Sequence, residues 1–223
     1  MSKNVDYTLA DAAALITSIN ENEAALTAKG MGAEKKTAVT DAYEAAKQKN
    51  IYQLKAVKLV NEKTVEQDIA YGVLNQSISK IQNAAKSAFG ADKALLKKFR
   101  VGDNHPRPVK TLITWGGYFQ GLLLEHDDDL TGNGLVAEDI PAYSTSYQNL
   151  LGADSTQESA KHNQISATTA RDAAVKVLTE EVRKFRNFIK SAFADNKEMQ
   201  QKFKAIPKGR SGAGGDDTPP PAG

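Results

Sequence analysis

The residues of this chain that most resemble a metal site lie in the segment DDDLTGNGLVAE, residues 127–138. A calcium-binding EF-hand loop spans twelve residues, with oxygen ligands at its first, third, fifth and twelfth positions and glycine at its sixth. On that template Gly132 takes the sixth position, and the ligand positions fall on oxygen-bearing side chains: Asp127, Asp129, Thr131 and Glu138. The pattern is therefore compatible with a calcium site between two helices.

An earlier segment indicates a plain turn at the same place. EAALTAKGMGAE, residues 23–34, lies 104 residues before the acidic segment and shares its Leu, Thr, Gly, Ala and final Glu, but it lacks the aspartates. Shared residues of this kind are typical of an interhelical turn, in which glycine supplies the left-handed conformation. The turn is the favoured interpretation, and the calcium loop stays open as the alternative.

Other catalytic chemistries find little support in the sequence. The chain has no cysteine, no Gly-x-Ser-x-Gly motif and no P-loop motif. Its three histidines, His105, His126 and His162, form no His-x-x-x-His or Glu-x-x-His pair, so a diiron site of the ferritin type is unsupported. We therefore predict a protein that is not an enzyme and holds no cofactor.

Basic residues gather near the end of each half of the chain. They are Lys93, Lys97, Lys98, Arg100, Lys197, Lys202, Lys204, Lys208 and Arg210. Such clusters can contact RNA or an anionic surface, but most are solvated helix faces, and the net charge of the chain is only +2. Proteins that bind single strands stack the bases on aromatic side chains among their basic residues. Aromatic residues are not interleaved with these lysines. Nucleic acid is therefore disfavoured as a partner.

The most apolar segment is LITWGGYFQGLLL, residues 112–124. Its 13 residues are too few for a helix to cross a bilayer, which takes about 20, so no membrane span is predicted. A helix that is apolar nearly all round is usually buried on more than one side, so either the first bundle or a second chain should cover it. The residues predicted to make these contacts are Trp115, Tyr118, Phe119, Leu122 and Leu123.

The elements that position these residues repeat along the chain. When residues 7–102 are aligned with residues 111–206 without a gap, 24 of the 96 pairs are identical. A match at one fixed interval over a whole segment indicates an internal duplication. The period of 104 residues is that of a small domain, so the sequence predicts two tandem helical domains, copy 1 at residues 1–103 and copy 2 at residues 104–206. Each copy is expected to fold around its own apolar face.

Within copy 1, apolar residues recur at intervals of three and four, the period of an amphipathic helix. This pattern predicts helices at residues 9–29, 33–48, 54–88 and 91–99, with Gly30 ending the first of them. In copy 2, Pro141 fits the first turn of a helix, and Gly152 is predicted to end that helix. No strand-type alternation appears, so the fold class is all-α, two tandem helical bundles followed by a disordered, Gly- and Pro-rich tail at residues 207–223.

The two closing segments, KSAFGADKALLKKF at residues 86–99 and KSAFADNKEMQQKF at residues 190–203, carry a family resemblance. They resemble the closing segment of uncharacterised bacterial helical-bundle proteins. The resemblance implies a bacterial, non-catalytic protein and transfers no site residue. The chain also lacks a recognisable signal peptide, so we expect a cytoplasmic location.

The function expected from these patterns is that of a non-enzymatic structural or interaction protein. It would associate with itself or with a protein partner through the apolar first helix of copy 2. The alternative is a ligand- or metal-binding helical protein that uses the calcium-like loop at residues 127–138.

Overall fold

The computed structural model describes residues 5–207, and these residues form α-helices joined by short turns. No strand occurs among them, apart from one isolated bridge between Thr131 and Leu135. The all-α prediction is therefore confirmed, whereas the predicted tail lies outside the described residues from position 208 onward. The helices are α1 (Val5–Glu21), α2 (Glu23–Ala28), α3 (Ala33–Ala88), α4 (Lys93–Lys98), α5 (Val109–Glu125), α6 (Asp127–Leu130), α7 (Asp139–Ala192) and α8 (Lys197–Lys202).

The helix boundaries recur at the interval seen in the sequence. α5, α6 and α8 begin 104 residues after α1, α2 and α4, and α7 ends 104 residues after α3. The turns match as well, since Gly30 and Gly134 both have positive φ angles, 84° and 119°. Glycine adopts this left-handed conformation without steric cost, and Gly30 lies in a turn as predicted. The single helix predicted at residues 9–29 is instead two helices, α1 and α2, which Asn22 separates.

The two longest helices are longer than predicted. α3 runs for 56 residues through the gap expected at residues 49–53, because that stretch contains no proline or glycine to interrupt it. α7 runs for 54 residues, with Pro141 in its first turn as predicted. Gly152 does not end that helix. An interior glycine costs only about 1 kcal/mol relative to alanine, and a helix of this length can bear that cost.

The helices gather into two compact units. Unit 1 contains residues 5–53 and 167–207, and unit 2 contains residues 54–166. These units do not coincide with the predicted domains at residues 1–103 and 104–206. Each unit takes its helices from both copies.

The core of unit 1 joins the opening helices of copy 1 to the closing part of copy 2. Leu15 and Ile19 of α1 are buried in one cluster with Leu178, Phe185 and other residues of α7. The prediction that each copy folds around its own apolar face is therefore wrong. An unbroken helix carries the chain away by about 1.5 Å per residue, so the second half of α3 cannot turn back onto α1.

Two charged side chains complete the core of unit 1. Arg186 of α7 donates to both carboxylate oxygens of Asp11 of α1, each at 2.8 Å, and its Nε atom donates to the carbonyl oxygen of Phe203 at 2.9 Å. The backbone N–H of Ile206 also donates to Asp11. These bonds tie α1, α7 and the segment after α8 together.

The core of unit 2 is built on α5. Phe119 and Leu123 of α5 are buried against Leu74 and Ile78 of α3 and against the first part of α7. Tyr143 of α7 donates through its hydroxyl to the carbonyl oxygen of Gly116 at 2.8 Å, and burial raises the pKa of this tyrosine. The apolar helix predicted from the sequence is thus covered by its own chain.

Glycine at position 116 permits the close approach of α5 to its neighbours. A Cβ atom at this position would lie 2.6 Å from Cδ2 of Tyr147 and 3.2 Å from Cδ2 of Leu74. Van der Waals repulsion excludes a Cβ atom 2.6 Å from a ring carbon, so a larger residue at position 116 would require Tyr147 to move. The equivalent residue of unit 1 is Ala12, so the two units pack their opening helices differently.

The connection between α4 and α5 is held by polar side chains of α3. Gln82 donates to the carbonyl oxygen of Arg100 at 2.7 Å, and Tyr71 donates to that of Pro106 at 2.6 Å. The ring nitrogens of His105 face the amide oxygens of Asn75 and Gln82. Among the described helices, none combines the length and the apolar character needed to cross a membrane.

Candidate functional site

The five residues predicted to make interactions on α5 divide into a buried and an outer group. Phe119, Leu122 and Leu123 lie in the core of unit 2, where their contacts are with their own chain. Trp115 is half-buried, and Tyr118 is 43% exposed. Leu124 at the end of α5 is 78% exposed, so the apolar surface that α5 offers to another chain consists mainly of Tyr118 and Leu124.

The outer edge of α5 is partly covered by Arg100, which lies in the connection between α4 and α5. The guanidinium of Arg100 lies 4.6 Å from the ring centre of Trp115 and 5.6 Å from that of Tyr118. Cation–π contacts of this kind stabilise a fold by about 0.5–1 kcal/mol at exposed sites. Of the basic residues noted in the sequence, Arg100 serves this intrachain role, while Lys93, Lys97 and Lys98 are exposed and Lys208 and Arg210 lie outside the described residues.

The calcium-like segment forms a short helix instead of an open loop. The three aspartates at residues 127–129 occupy the first turn of α6. Thr131 donates to Asp127 at 3.1 Å, His126 lies 3.3 Å from Asp129, and Glu138 is exposed. Within residues 5–207, no group of three or more His, Asp or Glu side chains is placed to hold a metal ion. The structure thus brings Asp127 and Thr131 together but does not assemble a ligand set with Asp129 and Glu138.

A groove between α3 and α7 in unit 1 is a stronger candidate for a binding site. It has a volume of about 370 Å³, and we refer to it as the unit 1 groove. Val39 and Phe185, both buried in the core, reach its floor, and Ala38 lies beside them. The residues that line it are Glu34, Lys35, Ala38, Val39, Glu181, Lys184 and Phe185.

The rim of the unit 1 groove carries charges of both signs. Lys184 pairs with Glu181 on its own helix at 2.6 Å, and Lys35 lies 3.4 Å from its neighbour Glu34. A backbone hydrogen bond and the nearby Lys35 lower the pKa of Glu34, so this carboxylate is ionised at neutral pH. Between residues 5 and 207, no ion pair crosses the groove from α3 to α7.

The equivalent positions of unit 2 are joined by an ion pair. Asp139 stands where unit 1 has Lys35, and Lys80 stands where it has Lys184. The Nζ atom of Lys80 donates to both carboxylate oxygens of Asp139, at 2.6 and 2.7 Å. The hydrogen bond from Lys80, and then the one from the backbone of Val136, lower the pKa of Asp139. Unit 2 therefore has a bridge from helix to helix where unit 1 has an open rim.

The unit 1 groove was not predicted from the sequence. Its signal was present in the alignment of the two copies, because the pair 35/139 changes from lysine to aspartate while the pair 80/184 stays lysine. The signal could not be read from the copies alone. The exchange at position 35/139 indicates a difference between the two rims only when it is known that α3 packs against α7.

Comparison of the chain with protein-family models, with curated proteins and with solved structures finds no match. The function must therefore be inferred from the unit 1 groove and from its counterpart in unit 2.

Proposed function

We propose that this chain is a non-enzymatic interaction protein that arose by duplication of one helical module. Its unit 1 groove binds an amphipathic helix of a protein partner, and a large apolar side chain of that helix enters the groove. Unit 2 supports the fold and has no equivalent open rim.

The duplication is supported at three levels. A quarter of the aligned residues are identical, the helix boundaries recur at the same interval, and buried positions correspond in the two units. Leu74 and Leu178 form one such pair, and Phe99 and Phe203 form another. Shared burial at shared positions is what descent from one packed module would leave behind.

The single observation that carries the proposed binding function is the difference between the two rims. Lys80 and Asp139 connect α3 to α7 in unit 2, whereas the equivalent Lys184 and Lys35 are both cationic and cannot pair with each other. The unit 1 groove therefore has no ion pair across its apolar floor, and Lys35 instead lies 5.4 Å from the ring centre of Phe188 of α7.

The shape of the site favours a helix as the occupant. The lining residues come from little more than one turn of each of two neighbouring helices, so the groove suits one large side chain that projects from a partner helix. Amphipathic helices are recognised in this way, by laying an apolar face into a groove between helices. The rim offers Lys35 and Lys184 to the polar flank of such a helix, which matches the apolar centre and polar edge of known interfaces.

Filling the groove should abolish partner binding without unfolding the chain. In Ala38→Trp the indole would occupy the groove, and because Ala38 is only half-buried we expect little change in thermal stability. The measurement is chemical crosslinking in the native host with quantitative mass spectrometry. The expected partner is one that crosslinks to the unsubstituted chain through an amphipathic helical segment. The amount of this partner crosslinked to Ala38→Trp should be lower by a factor of about ten or more.

The matched control is Ala45→Trp, which makes the same change on an exposed position of α3 that does not line the groove. This variant should retain the partner. If Ala38→Trp and Ala45→Trp retain it equally, the unit 1 groove is not the binding site.

A further inference from the structure

The rim of unit 2 shows which chemical group the unit 1 groove lacks. Asp139 holds Lys80 across the two helices with a bidentate contact, and Ser77 stands where unit 1 has Glu181. Lys80 thus leaves its own helix to meet a carboxylate on the other one. The equivalent lysine in unit 1 is Lys184, and the position of Asp139 is taken there by Lys35, which also lines the groove.

The present partners of the two rim lysines are exchangeable. The side chains of Lys184 and Lys35 are 65% and 42% exposed, and each pairs with a glutamate on its own helix. Lys35 also lies 5.4 Å from the ring centre of Phe188, a cation–π contact that is weak at an exposed site. Exposed pairs of this kind contribute little to stability because water and salt compete with them. Either lysine can therefore turn toward a ligand carboxylate without a large loss.

The acidic residues of the rim are directed elsewhere. The carboxylate of Glu34 folds back over the start of α3, since a Cβ atom at Gly32 would lie 2.1 Å from it, and it accepts a backbone hydrogen bond there. Glu181 accepts from Lys184 along α7. Neither glutamate bridges the groove as Asp139 bridges its counterpart in unit 2.

We propose that the helix bound by the unit 1 groove carries a carboxylate beside its apolar side chain, and that this carboxylate sits between Lys35 and Lys184. The ligand supplies from outside the acidic group that unit 2 supplies from its own chain. This inference rests on the proposed binding function and narrows the partner to an acidic amphipathic helix.

Small aromatic probes can test the carboxylate separately from the apolar contact. The full chain is titrated with 4-phenylbutyrate, 4-phenylbutyramide and 4-phenylbutylamine, and the methyl resonances of Ala38 and Val39 are followed by NMR. The carboxylate should bind about fivefold more tightly than the amide, the effect expected of two exposed ion pairs. The ratio of the two dissociation constants should approach one near 1 M salt, where the screening length falls to about 3 Å.

Substitutions locate the preference on the two lysines. Lys35→Asp recreates the unit 2 pair with Lys184 and should remove the preference for the carboxylate, and Lys184→Gln should reduce it. Lys47→Asp makes the same charge change on an exposed part of α3 outside the groove and should leave the preference intact.

Each outcome has a separate meaning. If the amide or the amine binds as well as the carboxylate, the acidic partner is excluded while the apolar groove stands. If none of the three probes shifts the methyl resonances of Ala38 and Val39, the groove itself fails as a binding site, and the proposed function fails with it.

Discussion

Asp11→Ala is expected to lower the free energy of unfolding of unit 1 by about 3 kcal/mol, at the lower end of the cost of breaking a buried ion pair. Asp11 is 8% exposed and accepts two hydrogen bonds from Arg186 and one from the backbone of Ile206. Its removal leaves the Arg186 guanidinium without its counter-ion in a mostly dry setting. Hydrogen exchange of the amides of α1 and of the end of α7, read by mass spectrometry, measures the loss.

Asp6→Ala provides the control for this substitution. Asp6 lies in the first turn of the same helix but is exposed, so its loss should cost only the favourable interaction with the helix dipole, about 0.3–1 kcal/mol. The loss of unfolding free energy in the conservative variant Asp11→Asn should lie between those of Asp11→Ala and Asp6→Ala. Equal costs for Asp11→Ala and Asp6→Ala would mean that the contact with Arg186 does not stabilise unit 1.

Phe119→Ala should destabilise unit 2 by about 3–5 kcal/mol, the usual cost of deleting a fully buried phenylalanine ring. Phe119 is 0% exposed, and its ring centre lies within 6.4 Å of those of Phe99, Trp115 and Tyr118. Trp115, the single tryptophan of the chain, belongs to this cluster. Its fluorescence during denaturation in urea therefore reports the unfolding of unit 2.

Tyr118→Ala is the neighbouring control on α5. Tyr118 is 43% exposed and contributes a cation–π contact with Arg100, so its loss should cost about 1 kcal/mol or less. Comparing Phe119→Ala with Tyr118→Ala also distinguishes packing of α5 within its own chain from contact of α5 with a second chain. If Phe119→Ala leaves the urea midpoint unchanged and instead dissociates an oligomer, the residue contacts a second chain and not its own.

The local structure could be predicted from the sequence because its causes are local. The three–four spacing of apolar residues indicated helices throughout, and Gly30 and Pro141 stand where their backbone preferences place them. The break between α1 and α2 at Asn22 has no proline or glycine to indicate it. The other errors lie within the long helices, where a weak local signal does not end the helix. Gly152 did not interrupt α7, and the boundary expected near residue 50 does not exist in α3.

The pairing of helix faces could not be predicted from the sequence. The apolar face of α3 around Leu74 shows that this stretch is buried, but periodicity does not say which helix covers it. The contact between Asp11 and Arg186 spans 175 residues. Nothing near either residue in the chain indicates the other, so the composition of the two units had to come from the structure.

The candidate site was missed for a related reason. Its lining residues are individually ordinary: exposed lysines and glutamates around a valine and a phenylalanine that also belong to the core. The acidic segment at residues 127–138 resembles a metal site in the sequence because its residues are adjacent there. A site assembled from two distant helices has no such signal.

The makeup of the units sets an order for folding during synthesis. Residues 54–166 form one continuous stretch, so unit 2 can close as soon as that stretch has left the ribosome. Unit 1 must wait, because Leu15 and Ile19 are covered by residues of α7 that are translated more than 150 positions later. Domains generally fold as units during synthesis, and apolar residues that stay exposed until their domain is complete are prone to aggregate. The amino-terminal helix should therefore be the segment that chaperones meet on the growing chain.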